Sequence, residues 1–136
     1  MSIKFNVIPK KNPSDETAIP KHYAIAKSVG KRDLRNIAEK IARRTTLERV
    51  DVIATLEAML DVIPEELTDG YIVEMGEFGG FYTSVHSNPA DTKEEFHAGL
   101  IKKAKVSFRP GRLFKNVMKN VQFEKIAETT PATEEV

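Results

Sequence analysis

The sequence predicts an α+β chain, and three observations carry that reading. Alternating apolar residues mark strands near the start, and two stretches with apolar residues at i, i+3, i+4 and i+7 mark helices in the middle. Three strand-like runs then lead into a short basic helix. At 136 residues, 40% hydrophobic and only 7% aromatic, the chain suits one modest domain with a limited core. A core that small gains from a partner subunit.

The elements follow in order. "IKFNVI", residues 3–8, alternates Ile3, Phe5 and Val7, and "HYAIAKSV", residues 22–29, alternates in part around Tyr23 and Ile25. Between them "PKKNPSDETAIP" carries three prolines, so the pair reads as a hairpin. Asp33 is then placed as an N-cap, and Leu34, Ile37, Ala38 and Ile41 form one helical stripe. The opposite face holds Arg32, Arg35, Lys40, Arg43 and Arg44. Thr45 with Glu48 has capping-box spacing for a second helix, whose Ile53, Leu56, Leu60 and Ile63 share a face. Pro64 is expected to kink or end it, with "PEEL" as a further turn.

After a turn at Asp69-Gly70, "YIVEM" and "GFYTSV" read as strands on either side of a glycine cluster, and "IKKAKVSF" as a third ending at Phe108. In "RPGRLFKNVMKNV" the Pro110-Gly111 pair punctuates, and Leu113, Val117 and Val121 repeat every four residues along a short basic helix. The closing "AETTPATEEV" is polar, acidic and aperiodic, which predicts a disordered tail.

The glycine cluster, "GEFGGFYTSV" at residues 76–85, has the composition of a phosphate-cradling loop but not its chemistry. A dinucleotide fingerprint needs its glycines in a turn that opens a helix, and a P-loop ends in Gly-Lys-Ser/Thr. Here a strand-like aromatic and β-branched run follows instead. There is no cysteine, which excludes disulfides and cysteine-ligated zinc. His22, His86 and His97 lack the i, i+4 spacing of a helical metal site. No motif sets Ser, His and Asp as nucleophile, base and orienter, so the sequence gives no catalytic residue, metal or cofactor. The opening residues have no signal-type apolar region, and no apolar run is long enough to span a bilayer. The expected location is cytoplasmic, with no membrane partner and no small-molecule substrate.

The net charge of +1 hides a strong division along the chain. Residues 1–47 hold eleven Lys/Arg against four Asp/Glu, or +7; residues 48–99 hold two against twelve, or −10. Residues 100–125 hold eight against one, again +7, and residues 126–136 contribute −3. Two basic blocks around an acidic one make a basic face where the fold brings them together.

"DGYIVEMGEFGGF" followed by "VSFRPGRLFKNV" resembles the bacterial HU and integration-host-factor family of histone-like DNA-binding proteins, over about residues 31–120. The matching residues are Phe78, Gly79, Phe81, Phe108, Arg109, Pro110, Gly111, Arg112 and Lys115. The N-terminal hairpin and acidic tail lie outside that pattern and bring the chain near the extended HU-like branch with an added N-terminal segment. The resemblance implies an HU-like fold: an N-terminal hairpin, two helices, a three-stranded antiparallel sheet with a β-arm, and a short C-terminal helix. It divides the chain into a hairpin extension at 1–30, an HU-like domain at 31–125 and a disordered acidic tail at 126–136. The glycines become architectural, bending the chain at a corner from which Phe78 and Phe81 enter the core.

The implied function is architectural, sequence-independent binding of double-stranded DNA by a nucleoid-associated homodimer. The cations flanking Pro110-Gly111 sit at a helix start, where backbone N–H groups and mobile charges meet phosphate together. Arg109, Arg112 and Lys115 are the leading expected contacts, with Lys119 further along the same segment, Arg32 ahead of the first helix, and Lys103 and Lys105 on the third strand. Lys102 cannot share a face with Lys103 on an alternating strand. One stretch departs from the family. Its arms are rich in Arg and Lys and tipped by a wedging proline, but "SVHSNPADTKEEFHAG" has one Lys, no Arg, and Asp91, Glu94 and Glu95. Ser84 and His86 stand where the family has arginines, and Pro89 is the only proline. The alternative expectation is a protein-interaction or scaffolding module on the same fold, with weak or no DNA binding.

Overall fold

The computed structural model describes residues 1–127, so the expected tail at 126–136 lies, from residue 128 onward, outside the described residues. The chain forms β1 (Ser2–Lys10), β2 (Lys21–Lys27), α1 (Leu34–Ala42), α2 (Arg49–Thr68), β3 (Val73–Glu74), β4 (Gly79–Ser87), β5 (Ile101–Pro110), α3 (Arg112–Lys119) and β6 (Gln122–Lys125). These elements are α+β, in two sheets of three strands, ordered β2-β1-β6 and β3-β4-β5. They fall into two compact units, Met1–Lys31 with the segment from Asn120 onward, and Arg32–Lys119.

In the first unit β1 and β2 pair antiparallel, with Phe5 opposite Ala26 and Val7 opposite Ala24. β6 was not expected; the terminal helix stops at Lys119, and β6 pairs in parallel with β1, Ile3 beside Phe123. Val121 therefore lies beyond the helix it was expected to extend. The polar "QFEK" has no alternation strong enough to announce a strand, and its place is set by partners instead. The Lys4 ammonium pairs with the Glu124 carboxylate, Ser2 Oγ donates to Glu124 Oε2 at 3.1 Å, and the Ile126 N–H donates to the Phe5 carbonyl at 2.9 Å. Lys4 chiefly, with Ser2, holds the Glu124 carboxyl below its ordinary pKa. One face of this sheet is apolar, with Ile3, Phe5, Ala24, Ala26 and Phe123 around a shallow concavity. Tyr23 and Ile25 project to the other face, opposite Ile8 and Asn6.

In the second unit Asp33 caps α1 as expected. Its carboxylate accepts from the Asn36 N–H at 2.9 Å while the Asn36 side chain accepts from the Asp33 N–H at 3.2 Å, a reciprocal capping box. The second expected cap does not form. The Thr45 hydroxyl donates back to the Ile41 carbonyl at 3.2 Å, satisfying the end of α1, and Glu48, extended and without a side-chain bond, holds the N-cap position of α2. Pro64 does not end α2 either; the helix continues through "PEEL" to Thr68. It stops at a Schellman turn. Gly70, at φ +92°, donates to Leu67 O and Tyr71 to Glu66 O.

β4 and β5 form the arm's antiparallel ladder, from Gly79 opposite Pro110 to Ser87 opposite Ile101 with an irregularity after His86. "YIVEM" contributes only the two residues of β3, paired with Phe81 and Gly80. Alternation gives the sheet two different faces. Phe81, Thr83, Val85, Ala104, Val106 and Phe108 occupy one, and Gly80, Tyr82, Ser84, His86, Lys103, Lys105, Ser107 and Arg109 the other.

The apolar face does not close on a finished core. Only Ala38, Val52 and Leu67 are buried hydrophobics among the described residues. Between α2 and the sheet lies an apolar cleft of about 740 Å³, whose walls include Met59, Ile63, Leu67, Phe81 and Val106. Leu60, expected to share a face with Ile53, Leu56 and Ile63, is 53% exposed at this cleft.

Candidate nucleic-acid interface

Two glycines lock the aromatic corner to the basic segment. A short 3₁₀ turn over Gly76–Phe78 precedes β4, and its Phe78 carbonyl accepts from the Gly111 N–H at 2.9 Å. A Cβ at Gly79 would overlap the Arg109 carbonyl, and one at Gly111 would overlap the Glu77 carbonyl. Backbone meets backbone at both places, which only glycine permits. Gly79 also has φ +138°, a conformation that other residues rarely adopt. The bend therefore comes from a 3₁₀ turn and a close crossing of chains.

Behind the crossing the phenylalanines cluster. Phe78 lies 5.5 Å from Phe108 and 4.9 Å from Phe114 between ring centroids, Phe81 lies 5.0 Å from Phe108, and Phe108 lies 5.8 Å from Phe114. These separations suit tilted and edge-to-face contact. Phe114 anchors α3 to the cluster, a role missed in reading the helix by its four-residue repeat. Its signal was present: Phe114 is the one aromatic residue in the predicted helix.

With α3 anchored through Phe114, Arg112, Lys115 and Lys119 follow at i, i+3 and i+7, within one sector of the helix. Lys103, Lys105 and Arg109 share the polar face of β5, with Lys105 opposite Ser84 and Lys103 opposite His86. Arg32 stands immediately before the α1 cap, exposed. The structure thus assembles two cation rows, one on β5 and one on α3, joined at the Pro110-Gly111 junction.

Among the described residues, two of these cations have partners within the chain. The Arg109 guanidinium lies 4.3 Å from the Tyr82 ring centroid, a cation–π contact that holds the side chain along β4. Arg112 pairs with Glu77 at 3.5 Å. That pair is exposed, the Arg112 side chain retaining 78% of its accessibility, and such a pair is worth about 0–1 kcal/mol. An incoming anion can displace it. Neither Tyr82 nor Glu77 was singled out in the sequence, because each depends on register across the corner.

Between β4 and β5 the connecting residues 88–100 carry Asp91, Glu94 and Glu95. The Asn88 N–H donates to the Leu100 carbonyl at 2.8 Å, closing the base of the connection. Pro89 follows at once, so it sits where the ladder ends and not at the far point of the loop. Among the described residues no group of three or more His, Cys, Asp or Glu is placed to hold a metal ion, and no helix is long and apolar enough to cross a membrane.

No curated protein matches the chain. Among solved structures, a protein from Bacteroides vulgatus ATCC 8482, described as a candidate bacterial DNA-binding protein, superposes with a TM-score of 0.65 at 13% identity. The match covers 92% of this chain and 48% of that one, so the chain spans about half the length of its structural relative and shares its fold. A family model described as an HU domain fused to wHTH, Ig or glycine-rich motif matches residues 1–125. The chain belongs to that HU-domain family.

Proposed function

We propose that the protein is a non-enzymatic, architectural binder of double-stranded DNA, acting as a homodimer and contacting phosphates with little regard to sequence. The observation that carries this reading is the junction itself. Within an HU-family chain, it joins the cations of β5 and α3 through a backbone crossing that a side chain would break. Arg109, Arg112, Lys115 and Lys119 are the principal phosphate contacts, with Lys103, Lys105 and Arg32 adding charge. None of them is buried, and long exposed cations suit phosphate contact, which positions a protein on a duplex without reading its sequence. In this reading the unit Arg32–Lys119 is the DNA-binding domain, the sheet of β1, β2 and β6 is its extension where 31–125 and 1–30 were expected to divide, residues 126–136 are an acidic tail, and the setting is the cytoplasmic nucleoid.

The unfilled cleft supports the homodimer. With three buried hydrophobic residues among those described and an open apolar groove between helix and sheet, the chain gains most of its missing burial from a second copy of itself. A second reading, a protein-interaction module with weak DNA affinity, is favoured by one feature, the acidic 88–100 connection. A gel shift on random-sequence duplex at low and moderate salt separates the two. The DNA reading expects binding that weakens steeply with salt, and no binding at low salt would transfer the function to a protein partner. Sedimentation at micromolar concentration is expected to give twice the monomer mass.

A further inference from the structure

We propose that the lysine-bearing face of the N-terminal sheet is a second phosphate-binding surface whose ligand is the backbone of duplex DNA. This rests on the DNA-binding reading above and assigns a role to a part of the chain which that reading leaves idle. The register of the hairpin places Lys4 opposite Lys27 and Lys10 opposite Lys21. Directly opposed residues project to the same side, and the even spacing from Lys4 to Lys10 keeps both pairs on one face. Like charges so placed oppose pairing. A hairpin shaped for stability alone would put a carboxylate in each pair, and this one puts a lysine at all four positions.

Among the described residues, only one of the four is neutralised. Lys4 pairs with Glu124 across β6. Among the described residues, Lys10, Lys21 and Lys27 form no ion pair. Asp15, in the connecting loop, is engaged instead by the Thr17 N–H and hydroxyl at 3.0 and 2.6 Å. The Lys10 ammonium stands 5.8 Å from the Tyr23 ring centroid, and Tyr23 is 49% exposed between the two pairs. Residues 1–31 hold six lysines against Asp15 and Glu16, a net +4.

The spacing selects the ligand. Six residues of strand separate the pairs by about 20 Å at ~3.3 Å per residue, too far for one compact anion to bridge. A regular polyanion engages both, and this span exceeds the roughly 12 Å width of the duplex major groove. The Tyr23 hydroxyl between them is a donor suited to phosphate or sugar.

The test measures binding of the full chain to random-sequence duplex across a salt series, for the parent, K10A/K21A, K10R/K21R and R112A. Each lost phosphate contact flattens the dependence of log K on log salt by about 0.9. K10A/K21A is expected to lower the slope by about 1.8 for each chain engaged, while K10R/K21R keeps it. K10A/K21A also removes a like-charge pair, so it is expected to unfold no more readily than the parent, and K27A gives an independent loss of about 0.9. A parental slope in K10A/K21A, with a reduced slope in R112A, overturns this inference and leaves the DNA reading standing. No salt-dependent binding by the parent overturns both. Tighter parental binding to phosphatidylserine vesicles than to duplex, lost in K10A/K21A, overturns it in favour of a membrane surface.

Discussion

Truncating Phe108 to alanine probes the corner and its cover by a second copy in one measurement. Its ring contacts those of Phe78, Phe81 and Phe114, the nearest centroid at 5.0 Å, yet the residue remains 37% exposed in the single chain. A fully buried Phe→Ala change costs about 3–5 kcal/mol. Scaled to the part buried within one chain, roughly two-thirds, the expected loss is about 2–3 kcal/mol. The full 3–5 kcal/mol applies only if a second copy covers the exposed remainder of this ring, which lies outside the lining of the cleft. Urea unfolding of parent and variant at two protein concentrations distinguishes these cases, since dimer stability depends on concentration and monomer stability does not. A loss below about 1 kcal/mol at both concentrations would refute the assignment of Phe108 to the structural corner.

Three more outcomes are expected. R112A weakens duplex binding about equally across sequences and lowers the salt slope by about 1, whereas E77Q, freeing Arg112 from its ion pair, leaves the slope intact and tightens binding; a weaker E77Q assigns Glu77 another role. E94K/E95K changes the connection by +4 per chain, since each Glu→Lys adds two charges, and is expected to tighten duplex binding at low salt with a gain that fades as exposed charges are screened. Unchanged affinity in a folded E94K/E95K variant removes the β4–β5 connection from the DNA interface. Glu124 has a lowered folded pKa, held down chiefly by Lys4. Its contribution to holding β6 is therefore present above the ordinary carboxylate pKa and lost as pH falls through the lower folded value. Amide-exchange protection of β6 is expected to decline in acid and to lose that step in E124Q; an identical acid profile in E124Q assigns the decline elsewhere.

Local signals were legible wherever one stretch of sequence determined the outcome. Asp33 capped its helix because the partner, Asn36, lay three residues away. The alternation of Ile3, Phe5 and Val7 announced β1, and the order of strands and helices followed from such patterns. Thr45 was misread because its hydroxyl had a nearer acceptor, the Ile41 carbonyl, which the capping-box pattern does not weigh. Pro64 was expected to kink or end α2 with "PEEL" as a further turn; that turn forms, and the helix runs through Pro64 to the Schellman turn at Gly70. β6 was illegible for a different reason. Its position depends on Lys4 and Ser2, more than a hundred residues earlier in the chain. The candidate site divides similarly. Its cations were visible as the basic run after Phe108, with Lys103 and Lys105 on the strand before it and Arg32 ahead of the first helix, while Tyr82, Glu77 and Phe114 acquire their roles only once the corner has folded against the β5–α3 junction.

The crossing at Gly79 and Gly111 also bears on the entropy of association. Because the two main chains touch and the Gly111 N–H is already bonded to Phe78, the backbone beneath Arg109 and Arg112 is fixed before any anion arrives. The ordering cost of contact is then confined to the long side chains, about 0.5–1.5 kcal/mol for each one immobilised. Tyr82 reduces the share belonging to Arg109 further, since a guanidinium held against a ring has fewer rotamers left to lose. A flexible glycine loop would have made these cations adaptable and costly to order. The same glycines, used for contact instead of freedom, give them a stiff footing.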